Sequence, residues 1–405
     1  MSVIYFLAKR ISFQGNKSVS KLVLYLAVIS IAFGIAVMEI AIAVVNGFEE
    51  EIQNKLMGFA SPIQIGAYLP EANSEARPLQ NNAEYAQKIL KYPKVKKIAP
   101  FIHLPALLKS KESIEGIIIK GVDESWNQEF FQNYIKEGKL PDLSKKNPYQ
   151  ILISQKIANA LHLKTGHKSK VYFMGENTRA RLVEISGTYE TGLAEFDQNI
   201  VIGSISLNQQ MLKWDTTEVE GYDVFLDTPH HLHLEEIAQT WDKNLPMEVR
   251  ARPIQQLFPE IFDWIKLQHQ NVWFILILLL SIAIINMSAA LIVRIVERTY
   301  MIGLLKAIGM KPIKIRLIFI INAFFIILMG VILGNILGLG ILKIQETYEI
   351  ITFDPESYFV YTVPIKWSWS DFILLNLGVI AICTLSMFLP TWVIQQIKPV
   401  KALKF

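Results

Sequence analysis

Four apolar runs dominate this chain and fix most of what it can become. They extend from Leu22 to Val45, from Val272 to Val293, from Leu317 to about Ile341, and from Phe372 to Leu389, fading by Ile394. Each is roughly 18–25 residues, the length a helix needs to cross about 30 Å of hydrocarbon. Between Trp273 and Val293 only Ser281, Asn286 and Ser288 carry polar side chains. The first run ends near an A-x-A pattern, Ala41-Ile42-Ala43. A secretory signal, however, has an apolar core of only about 7–15 residues. This longer run, behind a long polar leader, reads as a retained helix. Charged residues make up 19% of the 405, too many for spanning helices alone, so part of the chain forms a water-exposed domain.

The basic residues orient the spans. Lys9, Arg10, Lys17 and Lys21 precede the first, with no acidic residue among them. Arg294, Arg298, Lys306, Lys311, Lys314 and Arg316 lie between the second and third against Glu297 alone, and Lys398, Lys401 and Lys404 follow the fourth. The loop at 342–371 has Lys343 and Lys366 against Glu346, Glu349, Asp354, Glu356 and Asp371. The positive-inside rule then puts both termini in the cytoplasm and exports the segment between the first two spans. The resulting order is a cytoplasmic segment 1–21, a span 22–45, an exported domain 46–271, a span 272–293, a cytoplasmic segment 294–316, a span 317–341, an outer loop 342–371, a span 372–394 and a tail 395–405. The net charge of +4 on this length does not point to nucleic acid, which needs a clustered basic face. The single Cys383 excludes an internal disulfide and a cysteine-based zinc site.

The exported segment reads as mixed α/β. Residues 116–122, 151–153, 170–173, 181–185, 200–202 and 222–226 have strand character. Residues 82–90, 154–161 (capped by Ser154) and 232–245 have helical character. Gly175-Glu176-Asn177 forms a hairpin tip. From Ile254 onward Leu257, Phe258, Ile261 and Ile265 keep helical spacing into the second span, interrupted only at Pro259, so that span continues outward as a stalk.

Signatures of chemistry are missing. The chain has no G-x-x-x-x-G-K-[ST], no H-E-x-x-H and no G-x-S-x-G, so no catalytic residue, bound cofactor or metal ligand is assigned. His230, His231 and His233 form the one histidine cluster, and it reads as a solvated helix start. Glu39, inside the first span, is open to lining a watery groove, meeting a partner helix or snorkelling to the interface. Asn286 reads as interhelix glue, and Gly330, Gly334 and Gly338 as a G-x-x-x-G packing stripe. On the cytoplasmic side Met301, Leu304, Leu305 and Ile308 share a helical face that Gly309 terminates. Such a helix either lies on the bilayer or docks on a protein.

These residues resemble the FtsX-like/MacB-type permeases of ABC transporters, and within them the lipoprotein-releasing (Lol C/E) subunits. The resemblance covers nearly the whole chain. It is carried by Asn46-Gly47-Phe48, by Pro100-Phe101 with Ala106-Leu107-Leu108, by Lys120-Gly121-Val122-Asp123, and most specifically by Thr191-Gly192-Leu193-Ala194-Glu195-Phe196-Asp197. Ile285-Asn286, the stretch from Glu297 to Gly309, and Pro390 with Lys398-Pro399-Val400-Lys401 also follow the family.

The resemblance implies an α-helical membrane protein of the bacterial inner membrane. It has four spans and a large periplasmic domain made of a membrane-near porter part and an outer β-rich part. It implies a type VII, mechanotransmission permease that pairs with a second permease subunit, like or unlike itself, and with a cytoplasmic ABC ATPase dimer that holds ATP and Mg. Glu297, Arg298, Met301, Leu304, Leu305, Ile308 and Gly309 would form the helix that couples to the ATPase. Helices one and two of the two subunits would enclose a cavity for an acylated lipoprotein, with Glu39, Ile42, Phe48, Trp264, Tyr358 and Phe359 on it. In one such subunit a long hook for a soluble carrier emerges from the hairpin before the T-G motif. Here residues 173–181 leave only a tight tip. Two other readings stand beside lipoprotein release: a MacB-like permease acting on periplasmic peptides or drugs, and an FtsX-like signalling subunit controlling a cell-wall hydrolase.

Overall fold

The computed structural model describes residues 18–67, 78–80, 83–111, 113–144, 147–173, 179–227, 233–353, 358 and 360–397. It divides into two compact units. One comprises Met1–Phe48, Trp264–Ile351 and Val363–Phe405; the other comprises Glu49–Asp263 and Thr352–Thr362.

Four helices are long and apolar enough to cross a membrane: Leu22–Ala60, Pro259–Glu297, Pro312–Tyr348 and Trp369–Gln396. The first three outrun their apolar runs. Hydropathy marks only the stretch matched to hydrocarbon, whereas the hydrogen-bonded ladder continues until something breaks it. Ile52, Leu56 and Phe59, at helical spacing beyond Val45, are all buried. At the other boundary Ile254–Leu257 forms a short turn of helix, Phe258 leaves helical geometry, and Pro259 begins the long second helix. Proline suits that first position, where its missing N–H has no partner to lose.

In the first unit, the third helix packs against the first through its glycines. A Cβ on Gly330 would come within 2.7 Å of Ile31, one on Gly334 within 2.8 Å of the Ala32 carbonyl, and one on Gly338 within 2.5 Å of Glu39 Oε2. Small residues let the two backbones approach where lipid offers no competing hydrophobic drive. Asn286 Nδ2 donates to Ser30 Oγ at 2.6 Å, pinning the second helix to the first. A second polar set ties the fourth helix in: Asn335 Nδ2 donates to Asn376 Oδ1 at 2.7 Å, and Asn376 Nδ2 to Glu39 Oε1 at 3.2 Å. The apolar core of this bundle includes Ile31, Ile35, Met287, Ile295, Phe319, Ile327 and Cys383.

The second unit is built on a ten-stranded sheet. From edge to edge its strands are Val249–Pro253, Ile63–Ala67, Gly221–Leu226, Val95–Lys109, Ile114–Val122, Ile200–Ser204, Gln150–Ser154, Arg179–Tyr189 and Ile135–Gly138. Lys168–Phe173 pairs with both Val95–Lys109 and Arg179–Tyr189, which closes six strands into a ring. Leu108, Ile119, Ile151, Val171, Ile185 and Val201 fill it. The six strands expected from alternation are present, each longer than the apolar core that announced it. Ser154 caps its helix as expected, accepting from the Ile157 N–H at 3.0 Å.

The long strand Val95–Lys109 is not among the expected strands, because Pro100 and Pro105 interrupt its pattern. On one side it pairs with Gly221–Leu226 as far as Phe101 and with Lys168–Phe173 from Ala106 on. Pro105 falls between those two partners, where a missing N–H costs no ladder bond. Phe173 pairs with Arg179 across the hairpin, and the expected tip at Gly175-Glu176-Asn177 lies outside the described residues. His230 and His231 lie outside them too, while His233 directly precedes the helix Leu234–Asp242.

Candidate functional site

Three places gather the residues that the sequence singles out: an apolar cavity in the helical unit, a short cytoplasmic-side helix, and a turn in the sheet unit.

The cavity, about 380 Å³, is lined by three helices. The first gives Met38, Ile42 and Val45, the second gives Val272, Trp273, Leu276 and Leu280, and the fourth gives Leu374, Leu375 and Val379. Asn46, His269 and Asp371 add polar groups to this lining, and Asn46 Nδ2 donates to Asp371 Oδ2 at 2.9 Å. The adjacent Gly47 has a steric reason to be glycine: a Cβ there would lie 2.4 Å from the Pro364 carbonyl oxygen. The Lys366 N–H donates to the Ala43 carbonyl at 3.1 Å, so the segment ahead of the fourth helix is strapped along the first.

The expected cavity residues do not come together as a set. Ile42 lines the cavity. Glu39 does not; it is fully buried against the third and fourth helices, held by Asn376 and facing Gly338. The reason is positional, since Ala32, Ile35, Ala36 and Glu39 fall on the side of the first helix that packs against the third. Phe48 and Trp264 are half-buried, Tyr358 is exposed with its ring tilted against Phe353, centroids 4.7 Å apart, and Phe359 lies outside the described residues. The cavity's fourth-helix wall was missed. Nothing in a uniform apolar run says which face of it borders a void.

The segment expected to couple to an ATPase is two pieces rather than one. Glu297 ends the long second helix, Arg298 breaks the geometry, and Thr299–Ala307 forms a separate helix. Gly309, at φ +89°, takes the left-handed conformation that ends it, with the Met310 N–H donating to the Leu305 carbonyl. The face expected to be continuous is split. Met301 and Leu305 pack against the bundle core beside the buried Ile302, whereas Tyr300, Leu304 and Ile308 are exposed at i, i+4, i+8. Lys306 Nζ donates to the carbonyls of Ile394 and Ile397, each at 2.7 Å, and so binds this helix to the end of the fourth.

The turn Thr191–Asp197 is held by its own last residue. The Asp197 carboxylate accepts from the Thr191 N–H at 3.1 Å, the Thr191 hydroxyl at 2.8 Å and the Gly192 N–H at 2.9 Å. Gly192 sits at φ +77°, which explains the glycine. Burial outweighs these donors and raises the Asp197 pKa above the usual aspartate value. Phe196 points inward, 4.3 Å from the ring of Phe59 and 5.1 Å from that of Phe258. Glu195 lies on the short helix Ala194–Asn199.

A buried ion pair fixes the end of the first long helix within the same unit. Lys120 Nζ lies 2.7 Å from Asp223 Oδ2 and donates to the Phe59 carbonyl at 2.9 Å. A cation at the carbonyl end of a helix meets the negative pole of its dipole. Ser61 Oγ and Gln64 Nε2 donate to Asp223 Oδ1 at 3.1 and 2.8 Å. Next in the chain, a Cβ on Gly121 would meet Asn208, whose amide donates to the carbonyls of Ile102 and Ile119. The sequence marked Lys120-Gly121 as a motif, but only the fold shows that its lysine holds a helix end.

The family of MacB-like periplasmic core domains matches residues 24–237, and the FtsX-like permease C-terminal family matches residues 273–399. The chain is similar to the lipoprotein-releasing system transmembrane protein LolC of Xylella fastidiosa, with 21% identity covering 94% of this chain and 93% of the relative. It is similar to LolE of Haemophilus influenzae, with 20% identity covering 100% and 99%. Among solved structures, the periplasmic region of MacB from Actinobacillus actinomycetemcomitans aligns at TM-score 0.36 and 11% identity, covering 52% of this chain and 97% of that one.

Proposed function

The chain belongs to the FtsX-like permeases that carry a MacB-like periplasmic core domain, and from that premise we propose that it extracts acylated lipoproteins from the outer leaflet of the inner membrane. Permeases of this kind are non-catalytic inner-membrane subunits of ABC transporters, with four spans and a periplasmic core domain, and the family implies a partner ATPase. In this reading the partner is a cytoplasmic ATPase dimer that binds ATP and Mg, and a second permease subunit completes the complex.

The observation that carries the cargo assignment is the cavity. Its wall is aliphatic and aromatic, and the Asn46–Asp371 pair and His269 are the polar groups among its lining residues. An acyl chain contributes about 0.8 kcal/mol per buried CH₂, so removing it from lipid requires both an apolar receiving wall and an outside source of energy. Near-full-length similarity to proteins named for lipoprotein release supports the same choice over peptide or drug export and over hydrolase control.

The test is photocrosslinking in native membranes from Ile42 and Trp273. Capture of an acylated lipoprotein, discharged when ATP is supplied, is the expected result. Crosslinks to phospholipid alone, with a periplasmic peptide or a hydrolase retained on the purified complex instead, would overturn it.

A further inference from the structure

Three segments of the sheet unit adjoin membrane helices along the chain: the outer end of the first long helix, the Phe258 junction before the second, and residues Thr352–Thr362 between the third and fourth. All three reach the same turn. Phe196 touches Phe59 of the first segment and Phe258 of the second, and it is almost completely buried. Glu190, at the head of the turn, pairs with Lys136 at 3.0 Å. Tyr361 of the third segment reaches that same ion pair through Lys136, and burial, with the Glu190 carboxylate adding to it, raises the Tyr361 pKa. Lys136 and Lys55 bring their ammonium groups to 5.7 and 6.0 Å from the Tyr361 ring.

The turn that receives these contacts is stiff. Asp197 ties it at three donors, and Tyr189, fully buried beneath it, donates its hydroxyl to the Ile200 carbonyl at 2.7 Å. A close-packed, low-compressibility body with several attachments passes displacement from one to the others instead of absorbing it. The attachments differ in kind. Phe196 is sealed in an aromatic cluster, whereas Tyr361 is 42% exposed and meets two cations, Lys136 and Lys55, the first of them paired with Glu190.

We propose that Glu190–Asp197 is a coupling node: Phe196 joins the ends of the first two membrane helices, and Glu190, through Lys136, engages Tyr361 of the loop between the third and fourth, so that ATP-driven movement of the helices reaches the periplasmic domain through one turn. Glu190, Phe196 and Tyr361 are positioning residues in this scheme. The inference rests on ATP-driven coupling and is independent of the cargo.

The experiment uses the full chain with its ATPase partner in lipid nanodiscs, in a Cys383→Ala background. Spin labels at Glu260→Cys and Ile351→Cys report the distance between the second helix's outer end and the loop, with and without ATP. The unaltered node should give a nucleotide-dependent shift. Tyr361→Leu, which removes the ring beside the two lysines, and Glu190→Gln, which removes the charge paired with Lys136 while keeping shape, should abolish the shift and leave ATP turnover and the thermal unfolding midpoint unchanged. A shift that persists in both variants overturns the node alone. So does a shift lost only in step with a falling midpoint, which would mark a merely structural role. The absence of any shift in the parent protein would overturn ATP-driven coupling itself, and the node with it.

Discussion

Lys120 shows how much one side chain decides. Taking an ammonium out of water costs several kcal/mol, and only a close carboxylate with further donors offsets it. Here Asp223, the Phe59 carbonyl and the faces of Phe101 and Trp126 surround it. Removing one partner strands the other. Lys120→Met is therefore expected to destabilise the folded chain by about 3–5 kcal/mol, and Lys120→Met with Asp223→Leu to recover most of that. Thermal unfolding of both variants in detergent measures it. His103 and Glu220 make a more exposed pair at 3.3 Å. Burial works to raise the Glu220 pKa, but the charge and hydrogen bonds of His103 override it and hold it below the usual 4.5. A carboxylate with a depressed folded pKa stabilises above its unfolded pKa and loses that contribution as pH falls through the folded one. Acid titration should thus show a component of stability disappearing below about pH 4.3, and absent in Glu220→Gln.

At the scale of elements, the split face of the helix Thr299–Ala307 separates two outcomes that the sequence pattern merges. Ile308→Glu places charge on a side chain that is 75% exposed and should weaken ATPase binding while the permease folds normally. Leu305→Glu puts a carboxylate against the bundle core and should lower yield and the unfolding midpoint. Co-purification with the ATPase, read against the unfolding midpoint, tells the two apart. If Ile308→Glu binds as well as the parent, this helix is not the contact. Spacing could not reveal the split, because a four-residue apolar stripe looks the same whether it faces its own bundle or a partner. The long helices were legible for the opposite reason. No soluble alternative exists for runs that apolar, and their basic flanks orient them. The strand Val95–Lys109 was hidden by prolines that are tolerated only because its neighbours change beside them.

At the scale of the molecule, the four membrane helices are unequally covered. The apolar windows of the first and third are 50% and 56% buried within the chain, those of the second and fourth only 22% each. Trp273, Phe274, Ile277 and Ile285 are among the exposed side chains of the second. Lipid or a second permease subunit must face them. A photocrosslinker at Ile285 is expected to yield a permease–permease product; lipid adducts alone would place the subunit contact elsewhere.

What the sequence determined by itself follows from one-dimensional physics: the number of spans, their orientation, the export of the middle segment and its mixed α/β class. Those depend on length, hydropathy and charge counted along the chain. Which side chains meet was left to the tertiary structure. Glu39 turned inward to Asn376, Lys120 reached the end of the first long helix, and Phe196 met both Phe59 and Phe258. Contacts between residues far apart in sequence depend on the face each element turns to its neighbours, and that rotation is set by packing rather than by local pattern.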